Sequence, residues 1–389
     1  MKRLLTFFLI CFSFVEYTRA EDIIDYKYWD EGKLTWDDFQ DTLSLKGVPS
    51  AFNAFLRIEK TEKRDGNTRT IRPEAQACFD KRHSFADRQI QNENLLRLFQ
   101  LKYDLLEMYR RRLQTELNLG VVGIAADNRT RQYMDLYTEQ SKKAEQETEN
   151  GQNEIKLQEW EFYVTKELIE NPAPSIPRIS PRRFGYGFYL GTGASFPVGN
   201  IADYWAPAWQ INVGFDLAYA NTHLLCDFSA GTARTRQEIT VSNGQITHKW
   251  LRNGHNTYTS ISLGIGQQLI STKYFALMPY VGCIWSGYSD QAKIQEGRNE
   301  RTTLSYTNFN WTAGICFDYR FSTTISLVPS FWRGHREIFT ASIRTKLFIN
   351  REQFHNFKIA PDDNGSMLRG CKLGFSVACL GFSRLLQIK

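Results

Sequence analysis

Histidine is scarce in this sequence: six among 389 residues, of which only His83 falls between positions 21 and 170. A zinc site built on one helix needs two histidines four residues apart, and no such pair occurs. Close thiol pairs are missing as well. Of seven cysteines, Cys11 lies in the N-terminal apolar run. The others are Cys78, Cys226, Cys283, Cys316, Cys371 and Cys379, and only Cys371 and Cys379 are near enough for a local bridge. That spacing argues against a thiolate metal cluster. No nucleophile elbow is present to suggest a serine hydrolase. Beyond the first residues no stretch of about 18 apolar residues occurs, so no transmembrane helix is expected. Excess charge is small, 48 Lys and Arg against 42 Asp and Glu, which gives no case for nucleic acid. Internal helical repeats and low-complexity tracts are absent too.

What is present begins with an export signal. Lys2 and Arg3 precede an apolar run from Leu4 to Val15, and Thr18 and Ala20 supply the small residues of a cleavage site. Residues 1–20 read as a secretory signal peptide cut after Ala20. Ile10 before Cys11 argues against lipoprotein processing. Aromatics are frequent, 14% of residues with 27 Phe, although the mean hydropathy is negative. That combination suits a surface facing something other than water.

Two halves follow different periods. Residues 21–170 carry helical runs at about 86–118 and 128–170 with charged outer faces. In the first run, Leu95, Phe99, Tyr103, Leu106, Tyr109, Leu113 and Leu117 keep the spacing of one buried stripe. Residues 171–183 include "PAPSIPRISP", a stiff proline-rich linker. Beyond it the pattern alternates every two residues.

The alternation is clearest in "WQINVGFDLAYA". Trp209, Ile211, Val213, Phe215, Leu217 and Tyr219 fall on one face; Gln210, Asn212, Gly214, Asp216 and Ala218 fall on the other. Rings at both ends of the apolar face, with a polar opposite face, fit a strand crossing a bilayer. Eight strands can be drawn, near 184–196, 208–220, 222–233, 257–270, 273–288, 305–319, 323–333 and 336–349. Tight joins around Asn221, Ser271-Thr272 and Phe321-Ser322 alternate with long polar joins at 197–207, 234–256 and 289–304, as periplasmic turns alternate with extracellular loops. The short join at Gly334-His335 breaks that alternation. This register turns Asp216, Asp227, Asp318, Arg344 and Lys346 inward. Eight strands enclose room only for side chains and buried charges need partners, so an ion-paired plug is expected in place of a pore. Residues 350–389 form a tail in which "GCKLGFSVACLGFS" reads as an extra strand that would make the count odd.

Three segments occur in a telling order: "LTWDDFQ" (Leu34–Gln40), "CFDKRHSFAD" (Cys78–Asp87) and the helix from Asn92 to Leu117. Over roughly residues 26–118 this order resembles a bacterial family of exported zincin-like domains. Their helix reads His-Glu-Gln-x-His-Phe-Asp and then Glu-x-x-x-Arg. Gln100, Tyr103, Asp104, Glu107 and Arg111 match that pattern or nearly so. A domain of this kind followed by a barrel resembles exported proteins of Bacteroidetes-type bacteria. The resemblance implies a zinc peptidase, but the ligand and base positions hold Leu98, Phe99 and Lys102. A leucine cannot ligate, a phenylalanine cannot take a proton, and a lysine ammonium repels a metal. His248, His255 and His335 read as solvated loop residues, and Glu107 with Arg111 as an i,i+4 brace.

The expectation is therefore an α+β, helix-rich periplasmic domain at 21–170 lacking the metal site, then an all-β antiparallel transmembrane barrel at 184–349. No catalytic, cofactor-binding or metal residue and no cofactor is expected. The expected partners are the lipid bilayer of the outer membrane and a periplasmic or cell-surface protein or glycan, with no nucleic acid. A non-enzymatic binding, scaffolding or envelope-organising role follows. The alternatives are a hydrolase with an unrecognised site and a small channel or transporter.

Overall fold

The computed structural model describes residues 25–41, 49–175, 177–242, 247–292, 302–328, 336–354 and 368–388. The expected signal peptide, the Gly334-His335 join and parts of the long loops lie outside the described residues. The chain divides into two units. One contains 1–59 and 74–175; the other contains 60–73 and 176–389.

In the first unit the apolar stripe forms helix α1 (Glu93–Leu119). The Asn92 side chain accepts a hydrogen bond from the Leu95 amide at its start, and Gly120 ends it at φ 118°. Every stripe residue is buried. The expected run at 128–170 is two helices, α2 (Ile124–Glu147) and α3 (Glu154–Glu170). Between them Glu149, Asn150 and Gly151 take positive φ, which no continuing helix tolerates, and Asn153 caps α3 through the Lys156 amide. Strands β1 (Tyr26–Tyr28), β2 (Ser50–Ala51), β3 (Ala54–Asp65), β4 (Thr68–Asp80) and β5 (Phe85–Ala86) accompany the helices. The β3–β4 hairpin turns at Gly66, with φ +59°. Its outer part, residues 60–73, belongs to the second unit.

The second unit is a closed ring. Its staves are β6 (Ile179–Gly199), β7 (Ala208–Tyr219), β8 (Thr222–Arg234), β11 (His255–Gln267), β13 (Phe275–Ala292), β14 (Thr302–Ser326), β15 (Glu337–Phe354) and β16 (Leu368–Ile388), with short strands β9 (Ile239–Ser242), β10 (Thr247–Trp250) and β12 (Ile270–Ser271) between them. Each stave pairs antiparallel with the next, and β16 returns to pair with β6. At the hairpin tip, Thr68–Ile71 of β4 runs parallel to Thr323–Ser326 of β14.

Eight staves were expected, but the partition differs. The expected strands 305–319 and 323–333 with a turn at Phe321-Ser322 are instead one strand, β14, which carries a bulge between Arg320 and Ser322. The bulge absorbs one residue and keeps the ladder running. The tail supplies the eighth stave: Cys371 faces Val198 and Cys379 faces Leu190. Once β14 is a single strand, the join at 327–336 falls on the same end as the short joins at 220–221 and 268–274, although its ten residues make it longer than the join at 200–207 on the other end. A Cys371–Cys379 bridge is excluded by the same geometry. Eight residues along an extended strand span about 26 Å, and all six cysteines of the described chain are free.

Along β7, burial and exposure alternate residue by residue. Trp209, Ile211, Phe215, Leu217 and Tyr219 are 45–65% exposed, whereas Gln210, Asn212 and Asp216 are at most 5% exposed. The outer belt continues through Phe228, Ile261, Leu263, Trp285, Phe309 and Leu347. A barrel folding in water would invert this pattern; apolar-out and polar-in fits hydrocarbon as the outer solvent. Among the described residues no helix is long and apolar enough to cross a membrane.

Val213 sits at mid-stave opposite Phe228 and Leu190. Val213→Arg is expected to destabilise the barrel in lipid by about 2–4 kcal/mol, and Tyr219→Arg at the stave end by about 0–1 kcal/mol. Urea unfolding in vesicles measures both. Equal costs would contradict the depth assigned to this stave.

Candidate functional site

The residues matching the zincin-like pattern are brought together in the first unit, as a brace. The Gln100 amide oxygen accepts from the Leu34 amide at 2.8 Å, and its nitrogen donates to Asp104 Oδ1 at 2.8 Å. Trp29 Nε1 donates to the same oxygen at 2.8 Å. The Tyr103 hydroxyl donates to the Lys27 carbonyl at 2.6 Å. Glu107, 1% exposed, accepts from Arg110 and Arg111. Arg111 also reaches the carbonyls of Leu168 and Asn171 and lies over the Trp29 ring at 5.4 Å. One face of α1 thus ties the N-terminal segment and the end of α3 together.

The positions where a zincin carries its ligands and base face the core. Leu98 is 1% and Phe99 4% exposed, and Phe99 packs against Trp36, Phe39 and Phe52. Lys102 is packed as well. It is 8% exposed, its Nζ is 2.5 Å from Glu145 Oε1, and it lies 4.7 Å from the Phe52 ring centre. His83 is on an exposed turn with Nδ1 2.8 Å from Asp80 Oδ2. Among the described residues no three His, Cys, Asp or Glu side chains gather to hold a metal ion. Burial pushes the Cys78 thiol up to about 12, leaving little thiolate at neutral pH for nucleophilic or metal chemistry.

In the second unit the charges expected inside are inside, and they form layers along the lumen. Nearest the short-join end, Arg344 makes a bidentate contact with Asp318, Nε to Oδ1 at 2.7 Å and Nη2 to Oδ2 at 2.8 Å. The same Nη2 reaches Asp216 Oδ2 at 2.8 Å, and His223 Nδ1 stands 2.7 Å from Asp216 Oδ1. One turn of the register farther, Lys346 Nζ pairs with Asp227 Oδ2 at 2.6 Å. Asp227 also accepts from the Tyr189 hydroxyl. Tyr189 reaches it by lying across Gly214, where an added Cβ would meet the ring carbon Cζ at 2.2 Å. Toward the long loops, Glu352 pairs with Lys372 at 3.2 Å and accepts from Ser286 and Asn308. Lys372 lies 3.7 Å from the Tyr258 ring centre and 4.4 Å from that of Tyr288. Beyond it Ile201, Trp205, Ile239, Trp250, Tyr258 and Tyr288 form an apolar cluster, with Trp205 stacked on Tyr288 at 4.5 Å.

Asp216, Asp227, Asp318, Arg344 and Lys346 were legible from the two-residue period. Glu352 and Lys372 were missed because the register was not carried past residue 349. His223 was not among the expected inward residues, although it shares the inward parity of its strand.

No protein-family model matches the chain, and no curated protein matches it. Similar solved structures include Ail, the attachment invasion locus protein of Yersinia pestis, at 11% identity and TM-score 0.26 over 51% of this chain and 97% of that one. The N-terminal β-barrel domain of Pseudomonas aeruginosa OprF is similar at 9% identity and TM-score 0.23, over 52% and 99%. The outer membrane protein OprG, also of Pseudomonas aeruginosa, is similar at 8% identity and TM-score 0.26, over 54% and 99%. Scores this low carry no functional argument, and the barrel rests on its own strand pairing.

Lys346→Met leaves Asp227 buried without its cation and is expected to cost about 3–5 kcal/mol. Adding Asp227→Leu should recover most of that loss, because two apolar side chains need no partner. Unfolding in detergent micelles, followed by tryptophan fluorescence, compares the three proteins.

In the first unit, burial raises the Asp104 carboxyl above its usual range despite the hydrogen bonds from Trp29 and Gln100. A raised carboxyl binds its proton more readily in the folded chain. Its contribution to stability therefore falls as pH rises from the unfolded value through the folded one. Asp104→Asn keeps Oδ1 as acceptor and removes the charge. It should match or exceed the parent's stability at pH 7, with its advantage shrinking as pH falls toward about 4. Thermal melts at both pH values report this, and a large loss at pH 7 would show that the charge itself is needed.

Proposed function

We propose that this chain is a non-enzymatic outer-membrane protein whose barrel anchors a periplasmic domain with a binding or scaffolding role. The observation that carries the reading is the sealed lumen. Ionic layers at Asp216–Arg344–Asp318, Asp227–Lys346 and Glu352–Lys372 cross it, and the Trp205–Trp250–Tyr288 cluster lies beyond them. An ion entering such a lumen must break a buried pair, which costs several kcal/mol. That argues for an anchor over a channel.

Orientation follows from the joins. Short joins face the periplasm and long ones the cell exterior in barrels of this kind. The chain enters β6 at the end that carries the two shortest joins, which supports a periplasmic place for residues 21–170. The packed Leu98, Phe99 and Lys102 support a zincin-like domain whose peptidase positions became core, with Gln100, Tyr103, Asp104, Glu107 and Arg111 kept as the brace.

Planar-bilayer recording of the refolded full chain is expected to show no discrete conductance. An epitope tag inserted between Ser242 and Thr247 should be labelled on intact cells, while residues 21–170 should not. Reproducible single-channel steps would overturn the anchor reading. Surface labelling of the N-terminal domain with none at the loop would reverse the orientation.

A further inference from the structure

The two ends of the lumen are finished differently. The long-loop end is closed by rings, whereas the short-join end holds a cavity of about 410 Å³. Its wall carries Arg344, Arg320, Arg384, Lys273 and His223, with Asp318 as its one carboxylate among the described residues. Both Asp318 oxygens are engaged by Arg344, and Lys273 has Asp65 at 3.3 Å. Two cavity-lining side chains, each more than nine-tenths buried, have a polar atom without a hydrogen-bond partner: Arg344 Nη1 and His223 Nε2. A buried guanidinium nitrogen left unpaired is costly, and Arg344 forms part of the cavity wall.

The rim guanidinia are held in place by backbone carbonyls. Arg320 Nη1 donates to Thr272 at 2.7 Å, and Arg384 Nη2 donates to Ala220 at 2.5 Å. Each guanidinium has five N–H donors, so these anchoring bonds leave others for a ligand. Thr68, Thr323, Thr340 and Ser342 add hydroxyls to the wall. The cavity is therefore rich in cationic donors, poor in free carboxylates, and of a size to take a small molecule.

We infer that the short-join mouth of the barrel is a binding site for an oxyanion group, a phosphate or carboxylate, held by Arg320 and Arg384 beside Arg344. Planar guanidinia match the paired oxygens of such groups. The group can belong to a soluble molecule or to a lipid headgroup.

The test is calorimetric titration of the full chain in an uncharged maltoside, with inorganic phosphate against chloride at constant ionic strength. Saturable phosphate binding, displaced by sulfate, is expected. Arg320→Gln with Arg384→Gln should weaken it about tenfold or more. Thr340→Glu, which puts a carboxylate in the cavity and leaves every arginine in place, should abolish it. Heat-modifiable gel mobility confirms that each variant is folded. Repeating the titration in phosphatidylglycerol nanodiscs separates the sources: unchanged affinity identifies a soluble ligand, and lost affinity identifies the lipid phosphate. Absence of saturable binding to the parent in maltoside would overturn the inference, as would equal affinity in the folded double variant or the folded Thr340→Glu variant.

Discussion

Backbone amides and carbonyls facing hydrocarbon have no partner except a neighbouring strand, so the ladder between β16 and β6 sets the terms for the rest of the barrel. It runs from Gly370 opposite Gly199 to Ile388 opposite Ile179, with one irregularity between Arg384 and Leu386. Closing the ring at eight fixes the lumen at about the width that side chains fill. With lipid outside, the apolar residues of each stave are committed outward, and what remains to fill the interior is polar. The fill must then be internally paired, which is what Arg344 does with two carboxylates and Lys346 with one. Lumen chemistry is thus a consequence of closure.

The helical unit solves a different problem with residues that look catalytic in sequence. The N-terminal segment presents two donors, the Leu34 amide and the Trp29 indole, and one acceptor, the Lys27 carbonyl; the end of α3 presents the Leu168 carbonyl. Helix α1 meets them at i, i+4, i+3 and i+11 through Gln100, Asp104, Tyr103 and Arg111, with Glu107 at i+7 holding Arg111. The preceding positions Leu98 and Phe99 point into the core. A run of polar residues can therefore resemble a metallopeptidase helix while serving to hold chain segments to it. Lys102 is held in place in the same way. Its ammonium, lying where a zinc ligand would stand in the zincin-like pattern, is taken up by Glu145 of α2 and by the Phe52 ring.

How much of this was legible depended on whether one local rule decided the outcome. Inward and outward parity was readable because a strand has no freedom in its two-residue period, and every charge assigned inward from Asp216 to Lys346 lies inside. Strand ends were less readable. Arg320, Phe321 and Ser322 break parity as a turn does, yet a bulge breaks it without ending the strand, and only the β15 partner register distinguishes the two. The β3–β4 hairpin was hidden by its charge, since "RIEKTEKRD" has no apolar face to alternate, although Asp65-Gly66 was a readable turn signal. The burial of Lys102 was not legible at all, because Phe52 and Glu145 are far from it in sequence.

The contrast between the two lumen ends tightens the reading of the short-join mouth. At the loop end Lys372 is as buried as Arg344, and its charge meets Glu352 and the faces of two tyrosines. At the mouth, Arg344 pairs with Asp318 and Asp216, leaves Nη1 without a hydrogen-bond partner, and lines the cavity. Had the fold needed Arg344 only as a plug, the cavity wall beside it would serve best with an acceptor or an apolar surface. Beside apolar side chains such as Ile325, Ile338 and Leu380 it carries two more arginines, each pinned by a carbonyl at the rim. Like charges gathered around a shared space repel one another unless an opposite charge enters it, and the carboxylates at hand, Asp318 and Asp216, already face Arg344 from behind. The unbalanced positive field of the mouth is the physical ground for an anionic occupant.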